Sequence, residues 1–390
     1  MKRDGKPALG EEILRKLTVR EDLTTMSYAE LVDDFRSMPN LEEFKPTNIC
    51  KVDPRNGDRV IYSPMRARRP TELKPRRHVT VRLERIHCPV CEGETTGIID
   101  VAPLSDGYTF INKNMFPVVS YDFPGDRQPV TYEPAVEKRK LLGTYSQGGH
   151  WLQWFSNRHH ADLHNMPVED IEVVLSRLAA FEGFLLSAKE SNMPAWTDPS
   201  GKRNYGFVGI IRNYGSLGGA SLAHGHMQIT HTNIIPRAIL DDRDFLAENG
   251  RTFAEFMTSE NPSYLNIREF SGGLRLMVPY FMKRPFAAVM AFADCEACSL
   301  HQLDAERLKG LAEGLHAVTR ALKVILEERL ERSFSYNLVF HNGPSGCLYM
   351  EVLPHSQEWG GFEHMGWFIC QATPAQAADG YREAFEELGI

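Results

Sequence analysis

No stretch of this 390-residue chain comes near the roughly 18 consecutive apolar residues that a membrane-spanning helix needs. The opening segment, MKRDGKPALGEE, is charged where a secretory signal would carry an apolar core. Membrane and export roles are therefore not expected. Positive charge is short as well: 44 Lys and Arg against 51 Asp and Glu leave a net charge of −7. That balance argues against a nucleic-acid partner, while leaving room for a local basic cluster that holds a phosphate. Cysteine is sparse and odd in number, seven in all, which points to reduced thiols in the cytoplasm rather than a disulfide framework. What is present, 42% hydrophobic and 24% charged residues, suits a globular protein with two or three domains' worth of core.

The chemistry concentrates in His224-Gly225-His226-Met227-Gln228, reached through the run NYGSLGGAS from Asn213 to Ser221. On an extended strand, side chains repeat every second residue, so 224, 226 and 228 share one face. Two imidazoles and a carboxamide then stand side by side after a glycine-rich loop. Imidazole serves as nucleophile, base or metal ligand, and a loop rich in backbone N–H groups suits a phosphate. A bare His-x-His also describes two surface histidines on an amphipathic strand; the loop before it and the cysteines elsewhere favour chemistry.

Cys88-Pro-Val-Cys91 is a C-x-x-C knuckle that can present two thiolates to zinc. A thioredoxin-type redox pair would need a strand-to-helix context that the neighbouring residues do not supply. Cys295-Glu-Ala-Cys298 is a second pair, but it lies about 200 residues away, where a zinc ribbon separates its pairs by roughly 15–20. It reads as ordinary thiols. Candidates for two further zinc ligands are the histidines of Phe155-Ser-Asn-Arg-His159-His160 and His224. Arg66 and Arg69, in SPMRARRP, are cationic forks suited to phosphate oxygens, although an arginine cluster alone is most often a solvated face.

Residues 1–45 read as a charged N-terminal arm with short helices near Ile13–Leu17 and Tyr28–Met38. A turn at Asp53–Gly57 leads into a strand at Arg59–Tyr62; residues 71–87 are basic and irregular, and Tyr108–Asn112 is a strand. From about residue 147 one pattern occurs twice: strand, helix, strand, glycine loop, strand. The first copy runs through Trp151–Ser156, a helix from about Pro167 to Glu190, Tyr205–Ile211 and the HGHMQIT strand. Its helix carries the stripe Ile171, Val174, Leu175, Leu178, Phe181, Leu185. The second copy runs through Phe286–Ala293, a helix Leu303–Leu330, Tyr336–Phe340, a loop His341–Gly346, and Leu348–Leu353. The expected fold is α+β, a duplicated unit of antiparallel sheets with packed helices. Its parts are the arm (1–45), a chemical half (46–236) and a quieter second half (265–390), joined near 236–265.

Taken in order, these motifs resemble the galactose-1-phosphate uridylyltransferase family, the transferase branch of the histidine-triad superfamily. The similarity runs over roughly residues 50–385. The family's D/N-P-x-x-G and S-P-x-R-A-x-R-P match Asp53–Gly57 and Ser63–Pro70. Its C-x-x-C matches Cys88–Cys91, and its F-S-P-D-H matches Phe155–His159. Its E-N-x-G loop ending in S-N-P-H-P-H-x-Q matches Arg212–Gly215 through Ser221–Gln228, and its G-Y-E matches Gly361–Glu363. The resemblance implies two histidine-triad-like halves and His226 as nucleophile, with Gln228 contacting the phosphate. It implies a structural Zn2+ on Cys88, Cys91, His159 and His224. Arg66, Arg69, Asn112, Asn213, Gly219 and Ser221 would hold the nucleotide; Phe362 and Glu363 would approach the sugar, across the interface of a homodimer. Substrates would be a nucleotide sugar and a sugar 1-phosphate or phosphate.

This sequence departs from the family at several points. Ala223 and Gly225 replace the prolines flanking the first histidine. A second metal site uses a histidine matching His341, but its later H-x-H is replaced around Cys347–Tyr349, so no iron is expected there. The lysine and glutamine that hold the hexose phosphate have no counterparts near Gly361 and Ile369. The expected activity is a ping-pong nucleotidyl transfer, UMP by resemblance, through a covalent nucleotidyl-His226. Gln228 supports transfer over hydrolysis, because an amide can donate to a phosphate oxygen but cannot act as an acid or base. Two other readings compete: a phosphorylase using inorganic phosphate, and a zinc-stabilised binding module without catalysis.

Overall fold

The computed structural model describes residues 8–37, 49–52, 59–61, 88–121, 144–191, 193–293, 297–344 and 346–390. The turn at 53–57, both arginines of interest (Arg66 and Arg69), the basic stretch 71–87 and Cys295 lie outside the described residues.

Ten strands make one antiparallel sheet. They are β1 (Ile98–Pro103), β2 (Tyr108–Lys113), β3 (Gly148–Trp154), β4 (Phe207–Tyr214), β5 (His226–Thr232), β6 (Asn266–Phe270), β7 (Leu274–Met277), β8 (Ala288–Phe292), β9 (Tyr336–His341) and β10 (Tyr349–Pro354). Their order is β1-β2-β3-β5-β4-β9-β10-β8-β7-β6. Outward from the central β4–β9 pair, where Tyr214 faces Tyr336, the two runs of five strands follow the same order.

Each run has one long helix between its third and fourth strands in chain order. These helices, Val168–Leu186 and Ala305–Val324, pack against each other over a single face of the sheet. The apolar stripe of the first is buried, with Ile171, Leu175, Leu178, Phe181 and Leu185 all at 0% exposure. They meet the odd-numbered residues of β5, Met227 and Ile229, and the even-numbered residues of β4 and β9. The alternation of a strand therefore splits β5 into a core side and a second side facing away from the helices. The second long helix starts on Asp304, whose carboxylate accepts the Arg307 N–H, and gives way to a π-helical turn at Ile325–Arg329. It is shorter than the periodicity suggested. The first ends at Leu186 rather than near Glu190.

The N-terminal segment is built into the sheet's margin. Its helices, Glu11–Leu17 and Tyr28–Ser37, flank a bridge between Thr18 and Ile98, and Leu23, Leu31 and Phe35 are buried in the main core. Arg177 clamps it from the long helix, bonding Asp100 (2.9 Å) and Asp22 (3.0 Å). The stretch expected to join the halves holds two helices, Arg237–Asn249 and Phe253–Glu260. The second begins with a reciprocal cap between Thr252 and Glu255. Among the described residues no helix is long and apolar enough to cross a membrane.

Candidate functional site

The register of β5 builds the site. His226 faces Trp154 of β3, and Gln228 faces Leu152 on one side and Ile211 of β4 on the other. Both point away from the helices, into a cleft whose rim is the glycine loop at Gly219–Leu222 and whose far wall includes Val90, Thr95 and Phe116. The His226 ring lies against the Trp154 indole, centroids 4.7 Å apart. Its Nδ1 stands 2.8 Å from the His224 carbonyl. A carbonyl oxygen only accepts, so Nδ1 carries the proton and the lone pair is on Nε2. Glycine at 225 is obligatory for this arrangement. A Cβ there would stand 2.5 Å from the Ala161 carbonyl and 2.7 Å from Asp162 Oδ2.

Beside the nucleophile candidate, Cys88, Cys91, His159 and His224 bring their donor atoms within 4.8 Å of one another. The two thiols open and close a single helical turn, Pro89–Glu92, ended by Gly93 in the left-handed region at φ 80°. Cys91 Sγ is 3.5 Å from Nδ1 of both histidines, and Cys88 Sγ is 3.8 Å from His224 Nδ1. A tetrahedral ion with metal–sulfur and metal–nitrogen bonds of about 2.3 and 2.0–2.1 Å requires sulfur–nitrogen separations near ~3.5 Å. The cluster fits a metal ion. His224 Nε2 is 2.7 Å from the Ser156 carbonyl, so it carries the ring proton and turns a deprotonated Nδ1 to the thiols. The Cys91 thiol and burial push Cys88 up to about 12, so a thiolate here needs a cation beside it.

Other residues singled out from the sequence fall in different places. Gly219 and Ser221 line the cleft. Asn112 does not: it is fully buried, donating to Thr95 Oγ1 (2.8 Å) and the Thr96 carbonyl and accepting the Trp154 indole N–H (2.9 Å). Both ends of its amide are engaged, so it braces the cleft wall rather than offering a ligand contact. Asn213 lies at the β4–β9 join, its Oδ1 accepting from Asn337 at 2.8 Å. Phe362 and Glu363 sit in a one-turn helix, Gly361–His364, outside the cleft of their own chain. Phe362 is 56% exposed and stacks on Trp367, while Glu363 accepts the backbone N–H groups of Gly360 and Ile369. Trp154 was missed by sequence reasoning. Its signal lay in the alternation of the strand at 151–156, which becomes readable once the pairing with His226 is known.

In the second half, β9 ends in His341, only 4% exposed and held by carboxylates at both nitrogens. Nδ1 is 2.6 Å from Asp242 Oδ2 and Nε2 is 3.0 Å from Glu351 Oε2. Tyr349 stacks on the ring and donates to Asp242 Oδ1 at 2.8 Å. Burial disfavours the imidazolium, but the hydrogen bonds to Asp242 and Glu351 outweigh it and raise the pKa to about 9. The folded value stands above the ordinary ~6.5 of an unfolded histidine. The pairing therefore contributes fully below about pH 6.5 and is lost as pH rises through about 9. Melting temperature should fall across that window, and His341→Gln should flatten the fall; an unaltered slope in the variant would remove the assignment.

No family model matches the chain. It is 22% identical over 362 residues to an ADP-glucose phosphorylase of Arabidopsis thaliana, covering 85% of this chain and 92% of that protein. The solved structure of a uridylyltransferase superposes with a TM-score of 0.65 at 19% identity, covering 87% of this chain and 99% of that one. The crystal structure of an ADP-glucose phosphorylase from Arabidopsis thaliana with bound ADP-glucose gives 0.59 at 20% identity, over 86% and 98%. The chain has the fold of these proteins: α+β, one large antiparallel sheet and packed helices.

Proposed function

We propose that this chain is a nucleotidyltransferase that carries a nucleoside monophosphate on His226. The observation behind this reading is the fixed tautomer. With Nδ1–H held by the His224 carbonyl, the lone pair of the neutral ring lies on Nε2, and the ring lines the cleft together with Gly219, Ser221 and Gln228. In the first half-reaction Nε2 attacks the α-phosphorus of a nucleotide sugar. The new N–P bond replaces the P–O bond to the β-phosphate, and hexose 1-phosphate leaves with that electron pair. The positive charge gained by the ring is shared through Nδ1–H with the carbonyl. Loop N–H groups and the Gln228 amide donate to the phosphoryl oxygens. In the second half-reaction a phosphate oxygen of the acceptor attacks and frees His226.

For the Cys88/Cys91/His159/His224 cluster we propose zinc in a structural role, since four protein ligands leave no open coordination position. Phe362, exposed in the single chain, would reach the sugar across a homodimer interface.

Hexose 1-phosphate is the acceptor the family resemblance favours, with uridine as the nucleoside. Inorganic phosphate is the second reading, supported by the phosphorylase similarity over most of the chain and by the employment of Glu363 as a backbone cap. Intact-mass analysis after mixing with UDP- and ADP-sugars names the nucleotide by its adduct. Chasing the adduct with labelled hexose 1-phosphate or with phosphate then names the acceptor. Absence of any adduct, with no exchange of label, would sink the proposal in favour of a binding module.

Arg66→Ala and Arg69→Ala should each cut kcat/KM by about 10- to 150-fold, the loss of one charge-assisted contact of roughly 1.5–3 kcal/mol. Unchanged kinetics in both variants would return the cluster to a solvated face.

A further inference from the structure

The second half of the chain reaches the site at one point. Asn213 of β4 and Asn337 of β9 are paired, and both are odd-numbered, so they share the face turned away from the helices. The β4–β5 pairing ends at Gln228 opposite Ile211. Two residues further along, Asn213 comes level with His226 on that same face. A row across the sheet therefore runs Trp154, His226, Asn213, Asn337. The glycine loop folds back over its far end: a Cβ at Gly218 would stand 2.8 Å from the Tyr336 carbonyl and closer still to that of Tyr214.

Hydrogen bonds fix both amides of this row. Asn337 Nδ2 is 2.8 Å from the Gly218 carbonyl and 2.8 Å from Asn213 Oδ1. A backbone carbonyl only accepts, so the Asn337 NH2 lies on this side, with one hydrogen for each partner. Its oxygen faces His355 Nε2 at 2.9 Å, which requires that nitrogen to carry a proton. His355 is itself held at the backbone. Its N–H donates to the Ser335 carbonyl (2.8 Å), and its carbonyl accepts from Arg332 Nε (3.3 Å). Because Asn213 receives a donor at Oδ1, its own NH2 is turned away from Asn337, and among the described residues nothing accepts from it. The relay has one sense, His355 to Asn337 to Asn213, and it ends in an N–H donor in the row beside His226.

An amide N–H next to a nucleophilic imidazole suits a phosphoryl oxygen, the same use proposed for the Gln228 amide on the neighbouring strand. A primary amide with no fixed partner can turn over and present its oxygen instead, which would repel that phosphoryl group. Asn337 removes this choice. Resting on the nucleotidyl reading above, we propose that Asn337 and His355 are positioning residues for the transfer. They hold the Asn213 NH2 toward the phosphoryl group on His226 and pin the glycine loop at Gly218. Both belong to the half of the chain expected to be chemically quieter.

Rapid-quench measurement of the nucleotide adduct in a single turnover tests the relay, with saturating UDP-glucose or ADP-glucose, whichever labels the wild type. Asn337→Leu keeps the outline of the side chain without its polarity and should slow adduct formation about tenfold or more. Asn213→Leu should also slow it about tenfold. The double variant should stay within about twofold of the slower single, because both changes break one path; independent contributions would multiply. His355→Leu should slow the same step, and His355→Gln should recover most of that loss, since its amide N–H can reach Asn337 Oδ1. That pair keeps the test decisive if Asn337→Leu does not fold. Wild-type rates in the folded leucine variants, losses that multiply, or no recovery with glutamine would overturn the relay. A wild type that forms no adduct with either sugar would instead overturn the nucleotidyl reading, and the relay with it.

Discussion

His226→Asn should retain the fold and lose turnover by a factor on the order of 10⁴ or more, as expected when a nucleophile is removed from an otherwise intact site. Asparagine is close to histidine in size, and its amide N–H can still reach the His224 carbonyl that Nδ1–H now meets at 2.8 Å. What it lacks is a nucleophilic nitrogen lone pair, so the expected loss is chemical rather than structural. Initial rates of the wild type should give parallel double-reciprocal lines, because the first product leaves before the acceptor binds. Single-turnover mixing should leave an acid-labile nucleotide on His226. Intersecting lines with no adduct would instead support direct transfer in a ternary complex. His224→Asn, two residues away, should fail differently, since that side chain faces the two thiols and its loss acts on the metal cluster.

The parts of this molecule that were legible in the sequence are those governed by short-range repeat. The spacing of Ile171 to Leu185 marks a helix because the stripe is buried at a 3.6-residue period, and the alternation of His226, Met227 and Gln228 assigns opposite faces before any partner is known. Strands β6 and β7 escaped notice. Both are short, five and four residues; the burial of Leu274 and Leu276 depends on helix Ala305–Val324, far off in sequence, while Met277 packs in a separate cluster with Ala254 and Met257 of helix Phe253–Glu260. Helix ends were also set by tertiary packing, as at the π-turn after Val324. Within the site, the C-x-x-C spacing marked Cys88 and Cys91 as donors and left His159 and His160 open; the family resemblance implied His159 with His224, and the structure brings these four together. Asn112 shows the limit of that reasoning. Its place in the strand puts it on the cleft-facing side of the sheet, but the Trp154 indole and Thr95 engage its amide first, and only the three-dimensional neighbours reveal this. The same applies to Arg212, whose buried pairing with Asp162 has no signature in either local sequence.

Removal of the metal ligands should carry the second large effect, on stability before chemistry. The cluster ties the turn at Cys88–Cys91 to His159 beyond β3 and to His224 ahead of β5, segments separated by up to 136 residues. Leu9, Leu14, Val90 and Phe110 form a small core of their own around this point, with Trp154 on its inner side. A core of that size gains much of its stability from a cross-link, and metal binding of this kind is folding free energy. Cys88→Ser should reduce metal content well below one ion per chain and destabilise the protein by roughly 3 kcal/mol or more, a fall in Tm of about 4 °C or more for a chain of 390 residues. Activity at low temperature should survive better than thermal stability, because the ion is proposed to touch no reacting atom. The coupling that remains is positional: His224 turns its ring to the ion and its carbonyl to His226 Nδ1, so a loosened cluster should also blur the tautomer of the nucleophile. Chelation of the wild type should reproduce both effects in sequence. Full zinc occupancy in a Cys88→Ser/Cys91→Ser double variant, with unchanged Tm, would eliminate the assignment.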